Sequence, residues 1–391
     1  MNRASLLSLL LLSCLTTPLI AVELSGNINS EFRYFANPPL NPQQHNENFA
    51  LSAKLEMAKE WDNGYQLILF TPYLRLDQGD SERTQFDIRE LIWSKAANEW
   101  ELRVGIGQLF WGVSESQHLV DIINQTDLVA EPDGDEKLGQ PMINLALIRD
   151  WGTVDLLLLP YFRERTFAGK NGRLRPAILV EQNNPRYESS RKQYHRDIAL
   201  RWSHYKGDWD FGLSYFNGTS REPDFLLNGQ QLQPYYRQIE QLGIDLQATK
   251  EGWLWKLEAI QRRNREGHYN AATLGFEYSF YGVYESSTDV GLVVEYLYDS
   301  RDNSAPSAFQ NDLMLGLRFA LNDTQSSEAL IGTLTDIENG SIIYSVEASR
   351  RLGDNWKATL EGRIFQNIAT TDPLYSYRQD DYLQLQLGYY F

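Results

Sequence analysis

The sequence has 391 residues, of which 52 are Asp or Glu and 36 are Lys or Arg, so its formal net charge is −16. A charge this negative argues against a nucleic acid as partner, because phosphate backbones repel it. The mean hydropathy of −0.45 excludes a helical membrane protein, and the single cysteine, Cys14, excludes a disulfide framework. Aromatic residues make up 13% of the chain and favour strands over helices. The composition therefore indicates a large β protein without disulfides.

The N-terminus has the layout of a secretory signal. A short positive segment precedes the apolar run 6–12, and a region of smaller residues follows up to Ala21. We expect residues 1–21 to be a cleaved signal peptide that directs the mature chain, 22–391, to the bacterial envelope. A short membrane anchor is disfavoured because the apolar run is too short to span a bilayer. Lipidation of Cys14 is a further alternative.

The mature chain alternates apolar and polar residues with period two almost throughout. At the C-terminal end, Leu383, Leu385 and Leu387 share one face, and the residues between them share the other. Such alternation is typical of strands with one dry face and one wet face. We predict about eighteen strands, in chain order near 23–36, 48–60, 65–77, 84–96, 99–110, 142–150, 153–165, 195–206, 208–217, 238–249, 252–264, 270–281, 287–299, 308–321, 326–336, 341–352, 355–367 and 380–391.

The connections between the predicted strands alternate in length. Tight turns such as 62–64 and 97–98 alternate with long polar connections such as 166–194 and 218–237, and both termini lie on the side of the tight turns. This layout is typical of an outer-membrane barrel with short periplasmic turns and long extracellular loops. We therefore predict an all-β fold in which residues 22–391 form one transmembrane antiparallel β-barrel of about 18 strands, with 16 strands as the alternative.

A soluble β-sandwich would also alternate, but three features weigh against it. The predicted strands have roughly 10–14 residues, which is about twice the usual length in soluble proteins and enough for a tilted membrane strand. Their polar face is rich in charge, as a wet lumen would allow. Trp and Tyr also cluster at strand ends beside the tight turns, as in an interfacial girdle. These aromatic residues are Trp61, Tyr65, Trp100, Trp151, Trp209, Trp253, Trp255 and Trp356.

The chain resembles the bacterial outer-membrane porin class in its signal segment, its alternating final strand and its terminal aromatic residue, Phe391. The resemblance implies that Phe391 belongs to the signal read by the barrel-assembly machinery, and that the barrel contacts outer-membrane lipid as a monomer or a homo-oligomer. A weaker likeness lies in residues 89–93 and 100–112. They look like the paired strands before the pore-constricting segment of phosphate-selective-type and alginate-export-type porins. Those porins often have an Arg-rich lumen for anionic ligands, a preference that does not transfer to this acidic chain with mixed lumen faces.

Segment 112–141 is long, partly apolar and acidic, which is unusual for a solvated loop. We expect it to fold into the barrel as a constriction, with packing on the outer rim as the alternative. Folded inward, its acids would oppose basic wall residues and create a transverse field for polar solutes. The constriction candidates are Glu115, His118, Asp121, Asp127 and Glu131, and the pore-lining candidates are Arg103, Glu101, Arg89, Arg201, Lys256, Arg262, Arg318 and Arg363.

These patterns favour a passive channel for small hydrophilic solutes in the outer membrane, without enzymatic activity. A barrel enzyme of the lipase or protease type is one alternative, but no hydrolase motif supports it. An export barrel is another, although it would normally bring a periplasmic or plug domain. The five histidines are scattered without metal-ligand spacing, so the sequence predicts no metal, no cofactor and no catalytic residue.

Overall fold

The computed structural model describes residues 22–302, 305 and 307–391, and the predicted signal peptide lies outside the described residues. Nearly all of the regular structure is β-strand. Among the described residues, no helix has the length and apolar character needed to cross a membrane. The strands are β1 Glu23–Phe35, β2 Glu47–Trp61, β3 Gln66–Asp77, β4 Gln85–Ala96, β5 Trp100–Gly107, β6 Gln140–Arg149, β7 Gly152–Leu159, β8 Arg186–Tyr187, β9 Asp197–Lys206, β10 Trp209–Thr219, β11 Asp224–Asn228, β12 Gln231–Tyr236, β13 Gln238–Lys250, β14 Trp253–Arg263, β15 His268–Phe280, β16 Asp289–Asp299, β17 Asn311–Ala320, β18 Glu328–Asp336, β19 Ile342–Leu352, β20 Trp356–Gln366 and β21 Tyr382–Tyr390. Short 3₁₀ turns at Ser81–Arg83, Lys192–Tyr194, Val283–Glu285 and Pro373–Tyr377 lie in the connections.

Eighteen of these strands form one closed antiparallel barrel. Closure is made by the first and last strands, which pair from Asn27 opposite Tyr390 to Phe35 opposite Tyr382. Beyond that register, the backbones of Gly26 and Phe391 bond to each other. A closed barrel has no edge strand, and hydrocarbon would not tolerate the row of unpaired amides that an edge strand presents. The predicted fold class is confirmed, with 18 strands rather than 16.

The two faces of the barrel wall differ in chemistry, because successive residues of a strand point to opposite sides. The outward face exposes a band of large apolar side chains around the barrel. Its members include Phe32, Leu51, Leu74, Leu91, Ile143, Leu156, Leu200, Leu213, Leu242, Leu274, Leu315, Ile331, Tyr344, Ile364 and Leu385. The inward face carries charges, many of them buried, including Glu31, Arg33, Arg75, Asp87, Arg89, Asp245, Lys256, Glu258, Arg262, Glu295 and Glu361. An apolar exterior around a charged interior inverts the pattern of a soluble protein and suits a lipid environment.

The two rims of the barrel differ in the length of their connections. At the short-turn rim, the β2–β3 turn is tight, and its residues Asp62, Asn63 and Gly64 all have positive φ angles. The same rim carries both ends of the described chain and several exposed aromatic residues of the predicted girdle. These are Tyr65, Trp151, Trp209, Trp253, Trp255 and Trp356. The opposite, long-loop rim carries the connections of greatest length.

Two strands end earlier than their sequence pattern predicts. Strand β5 ends at Gly107 instead of residue 110, and β7 ends at Leu159 instead of residue 165. Apolar residues continue beyond both ends, but they leave the wall: Trp111 is buried in an apolar cluster inside the barrel, and Phe162 is buried against Tyr187 and Tyr236. At both places the apolar pattern of the sequence continues after the chain has left the wall, so the pattern alone predicts strands that are too long.

A small second sheet at the long-loop rim was not predicted. Strands β11 and β12 form a hairpin in the connection between β10 and β13, and β8 adds to it in parallel from the preceding long connection. The hairpin turns at Gly229, whose φ of 63° is in the left-handed region. The connections 166–194 and 218–237, which we predicted as long polar connections, thus pair with each other in part.

Candidate pore constriction

The segment between β5 and β6 leaves the wall after Gly107 and rejoins it at Gln140. Two of its parts contact different sides of the barrel. Residues 112–123, here called the first arm, bond to side chains of β14 and β16. Residues 124–136, the second arm, bond to side chains of β1, β4 and β20. Because these wall strands lie on different sides of a closed barrel, the segment runs through the barrel interior.

The first arm is fastened to the wall by Glu258 of β14, which is fully buried. One carboxylate oxygen accepts hydrogen bonds from the backbone N–H of Val113 at 2.7 Å, from the N–H of Ser114 at 3.0 Å and from the Ser114 hydroxyl at 2.5 Å. The other oxygen accepts the N–H of Val120 at 3.1 Å. A buried carboxylate needs such donors to offset its lost hydration, so these bonds stabilise both the charge and the shape of the arm.

Close approach to this carboxylate requires a glycine at the start of the arm. Gly112 has a φ of 139°, and a Cβ atom there would lie 2.8 Å from Oε1 of Glu258. The backbone angle strains any residue that has a Cβ atom, and a Cβ atom here would also displace the Glu258 carboxylate from its hydrogen bonds.

A second buried carboxylate, Glu295 of β16, fastens the tip of the first arm. It accepts the backbone N–H groups of Glu115 and Ser116 at 2.7 and 2.8 Å, and the Ser116 hydroxyl at 2.5 Å. The Glu115 side chain turns to two wall cations, with Arg318 at 2.7 Å and Lys256 at 3.7 Å. The predicted constriction residue Glu115 is therefore brought together with two predicted pore-lining residues.

Apolar side chains of the first arm are buried against apolar wall positions. Leu119, Val120, Ile122 and Ile123 belong to one buried cluster. Their wall partners come from β6, β7, β9, β10, β13, β14 and β15, and are Met142, Leu157, Leu159, Ala199, Phe216, Ile239, Ile260 and Ala271. Each large side chain buried in this way contributes about 1.5–3 kcal/mol. This packing explains why the segment is more apolar than a solvated loop.

The second arm is held mainly by arginines instead. Asp127 pairs with Arg89 of β4 at 2.7 Å, and Glu131 pairs with Arg33 of β1 at 3.0 Å. Further along, Asp133 pairs with Arg363 of β20 at 3.0 Å. The neighbouring salt bridges keep the pKa of Asp127 below its usual range although burial alone would raise it, and burial raises the pKa of Glu131, which has other carboxylates beside it.

Arg83, from the connection between β3 and β4, joins the second arm to the wall. Its guanidinium donates to the carbonyl oxygens of Val129 and Ala130 at 2.8 and 3.0 Å, and it pairs with Glu31 of β1 at 2.8 Å. It also pairs with Asp77 at 2.8 Å. A planar guanidinium with five donors is suited to this combination of carbonyl and carboxylate acceptors.

The position of Arg89 depends on a β-bulge. The register between β3 and β4 shifts at Pro72, so that Thr71 lies opposite Glu90 and Pro72 opposite Ile88. Proline has no N–H for the ladder, and an extra residue on the opposing strand is the usual accommodation. Arg89 is that extra residue, and it points inward to Asp127. On the same side, Glu90 accepts the Thr71 hydroxyl at 3.3 Å.

His118 connects the two arms. Its Nε2 lies 3.6 Å from Asp135 of the second arm, and its Nδ1 lies 3.9 Å from Glu258 on the wall. Burial lowers the pKa of His118, but these two carboxylates outweigh burial and raise it from 6.5 to about 9. The imidazole is therefore positively charged at neutral pH, and it lies between two acids that attract it.

The remaining predicted residues divide by their contact with the segment. Asp121 pairs with Lys137 within the segment at 3.1 Å. Arg201 pairs with its wall neighbour Asp245 at 2.7 Å and lies over the ring of Trp111. Within the described part of the chain, the others form ion pairs with residues outside 112–141: Arg103 pairs with Glu101 at 2.7 Å, and Arg262 pairs with Glu222 at 2.8 Å.

The long connection between β7 and β9 contacts the segment between β5 and β6 at the long-loop rim. Arg163 donates to the Gly139 carbonyl at 2.9 Å, and the Thr166 hydroxyl donates to Asp127 at 2.9 Å. Farther along, Arg173 pairs with Asp380, just before β21, at 2.6 Å. The connection therefore reaches from one side of the mouth to the other.

Glu258, Glu295, Arg33 and Arg83 were not among the predicted site residues. The alternation placed Glu258 and Glu295 on the polar face of their strands, but it gave no sign of what they bind. Their partners lie 144 and 180 residues away in sequence. Among the residues that the structure describes, no group of three or more His, Cys, Asp or Glu side chains is arranged to hold a metal ion.

No protein-family model matches the sequence, and the search of curated proteins gives no significant match. Solved structures do match. A BenF-like porin from Pseudomonas fluorescens Pf-5 aligns with a TM-score of 0.57 and 11% sequence identity over 95% of this chain and 98% of that chain. A mutant of Rh. blastica porin aligns with a TM-score of 0.46 and 11% identity over 95% of this chain and 100% of that chain. The first of these shows that the chain shares the fold of a bacterial porin.

Proposed function

We propose that the protein is an outer-membrane channel for the passive diffusion of small hydrophilic solutes, and that it has no enzymatic activity. The observation that carries this proposal is a closed barrel with an apolar exterior, a charged interior and a segment that runs through that interior. An 18-stranded barrel leaves an aqueous lumen unless something fills it. The fold that the chain shares with a porin supports the proposal of a channel.

Residues 112–141 are the constriction in this proposal. The first arm fills the side of the lumen next to β6–β15, and the second arm reaches β1, β4 and β20. Charged side chains with substantial exposure line what is left. Lys54 and Arg103 are 38% and 40% exposed, and Glu56 and Glu347 are 42% and 49% exposed. A hydrophilic solute passing through the barrel would meet both signs of charge.

The passage next to the second arm favours cations. Asp135 is 71% exposed and Glu347 is 49% exposed, whereas their neighbour Arg363 is only 16% exposed. At this point the carboxylates are therefore more exposed to the water-filled lumen than the guanidinium is. Because charge in a confined space is poorly screened, we expect cations to permeate more readily than anions.

Export and assembly follow the same proposal. Residues 1–21 are a signal peptide removed during export. Phe391, which is exposed on the outward face and paired with Gly26 through its backbone, is part of the signal for the barrel-assembly machinery. Deleting Phe391 should lower the amount of assembled barrel in the outer membrane, measured by the unheated fast-migrating band on gels. Normal levels would count against this role.

The experiment that tests the channel is single-channel recording in planar bilayers with purified, folded protein. We expect discrete conductance steps and, in a salt gradient, a reversal potential of the sign for cation preference. Boiled protein from the same preparation is the control and should give no steps. Folded barrel, shown by heat-modifiable migration and β-type circular dichroism, that inserts into the bilayer without conducting would refute the channel.

A further inference from the structure

A basic run at the long-loop rim stands out in an acidic chain. Arg191, Lys192 and Arg196 lie within six residues of one another, just before β9, while the chain as a whole has a formal net charge of −16. All three side chains are exposed. The run therefore places three positive charges together on the surface.

The run continues the membrane-facing side of the wall. Alternation in β9 puts Ile198 and Leu200 on the outward side, because Asp197 and Ala199 are buried inward, and the exposed Arg196 directly precedes Asp197. Tyr194, Ile198 and Leu200 are 69%, 48% and 42% exposed. Tyr194 also makes an edge contact with the ring of Tyr161 at the end of β7. The apolar band thus ends at this rim in exposed cations and an aromatic pair, the arrangement expected where hydrocarbon meets headgroups.

Among the described residues, none of these three cationic side chains has an ionic partner or donates a hydrogen bond. Other exposed arginines near this part of the rim do have partners. Arg263 pairs with Glu240, and Arg265 pairs with Glu188. Three adjacent unpaired cations repel one another, so an anion outside the protein would be stabilised beside them.

We propose that this rim patch, Arg191, Lys192 and Arg196 with Tyr194, binds the phosphate groups of a lipid in the leaflet at the long-loop end of the barrel. The arginines can bind phosphate in a bidentate manner, and Lys192 adds a point charge. Acyl chains of the same lipid would lie along Ile198 and Leu200. The inference rests on the barrel's location in a membrane, but it does not depend on whether the barrel conducts.

The test measures lipid binding to the folded barrel in neutral detergent by native mass spectrometry. The probes are diphosphorylated lipid A and the same lipid with both phosphates removed. The test variant combines Arg191→Gln, Lys192→Gln and Arg196→Gln. The matched control combines Lys170→Gln, Lys206→Gln and Lys250→Gln, which removes the same charge from three separate exposed positions.

We expect wild type and control to bind diphosphorylated lipid A equally, and the test variant to bind it about a hundredfold more weakly, since each cation near an anionic surface strengthens binding about fivefold. The dephosphorylated lipid should bind weakly to all three proteins. Arg196→Gln alone should weaken binding about fivefold. Equal binding of diphosphorylated lipid A by wild type and test variant would overturn the proposal. So would equal binding of both lipids by wild type, or displacement of the lipid by millimolar inorganic phosphate, which would indicate a site for free anions.

Channel recordings on the same variants separate this inference from the proposed function. The test variant should conduct as wild type does, because the patch lies outside the lumen. Loss of lipid binding with unchanged conductance supports the patch. Unchanged lipid binding in the test variant contradicts the proposed lipid site, whatever the conductance of that variant is.

Discussion

The first arm of the constriction segment is buried against apolar wall residues and fastened through its backbone, whereas the second arm is held mainly through charged side chains. Glu258 and Glu295 accept hydrogen bonds from backbone N–H groups of the first arm, so these bonds fix the backbone conformation of the arm. The second arm depends on pairs such as Asp127 with Arg89. Apolar burial responds little to pH or salt, but ion pairs respond to both. We infer that the first arm is the fixed part of the constriction and the second arm the adjustable part.

Removing both arms should have the largest effect. Deletion of residues 115–136 should raise single-channel conductance severalfold, because the lumen of an 18-stranded barrel would lose its obstruction. The measurement is conductance in planar bilayers, with heat-modifiable migration as the control for folding. Unchanged conductance in folded protein would mean that the segment does not limit the pore.

Loss of one buried carboxylate should release the first arm. We expect Glu258→Ala to lower the free energy of unfolding by about 2–4 kcal/mol, because it leaves the N–H groups of Val113, Ser114 and Val120 without an acceptor. Urea titration of the refolded barrel measures this free energy of unfolding. Glu56→Ala is the matched control, since Glu56 is half-exposed and its one ion pair among the described residues is with Lys54, and the substitution should cost less than about 1 kcal/mol. Equal effects of the two substitutions would contradict the anchoring role of Glu258.

A change of pH should act on the contact between the arms. The pKa of His118 is raised from 6.5 to about 9, so its contribution to holding the arms together is complete below pH 6.5 and is lost as pH rises through about 9. We therefore expect a modest rise in conductance or in open-channel noise between neutral pH and pH 9. His118→Gln should remove this pH step. If His118→Gln shows a pH-dependent change in conductance of the same size, another group is responsible for that change, and Glu131 is the next residue to test.

A wall charge away from both arms should change selectivity without changing the constriction. Arg103 is 40% exposed, and its ion pair in the described part of the chain is with Glu101. Arg103→Glu should shift the permeability ratio toward cations by about two- to fivefold and leave the open-channel conductance close to that of wild type. Arg350→Glu, the same reversal at a half-exposed residue near the short-turn rim, is the control. Equal reversal potentials for wild type and Arg103→Glu would place Arg103 outside the ion path.

Sequence reasoning placed the strands well and the contacts of the site poorly. The period-two pattern was strong enough to predict eighteen barrel strands, because each strand's two faces meet different solvents along its whole length. The same pattern failed at the end of β5, where apolar residues continue although the chain has left the wall. Alternation also puts Arg89 and Glu90 on opposite faces, but the bulge at Pro72 brings both inward. The sheet of β8, β11 and β12 was missed because its pairing joins two separate connections.

Apart from the bulge opposite Pro72 and the end of β5, the sequence by itself determined which side chains face lipid and which face the lumen, because that choice is local and repeats every second residue. It also determined that residues 112–141 needed a place to bury apolar side chains. Only the tertiary structure decided which lumen charges pair with that segment and which remain exposed to water. Arg89 and Arg103 look alike in sequence, yet Arg89 is buried against Asp127 and Arg103 is 40% exposed. The difference arises from the register of strands distant in sequence and from one bulge, and no local pattern encodes either.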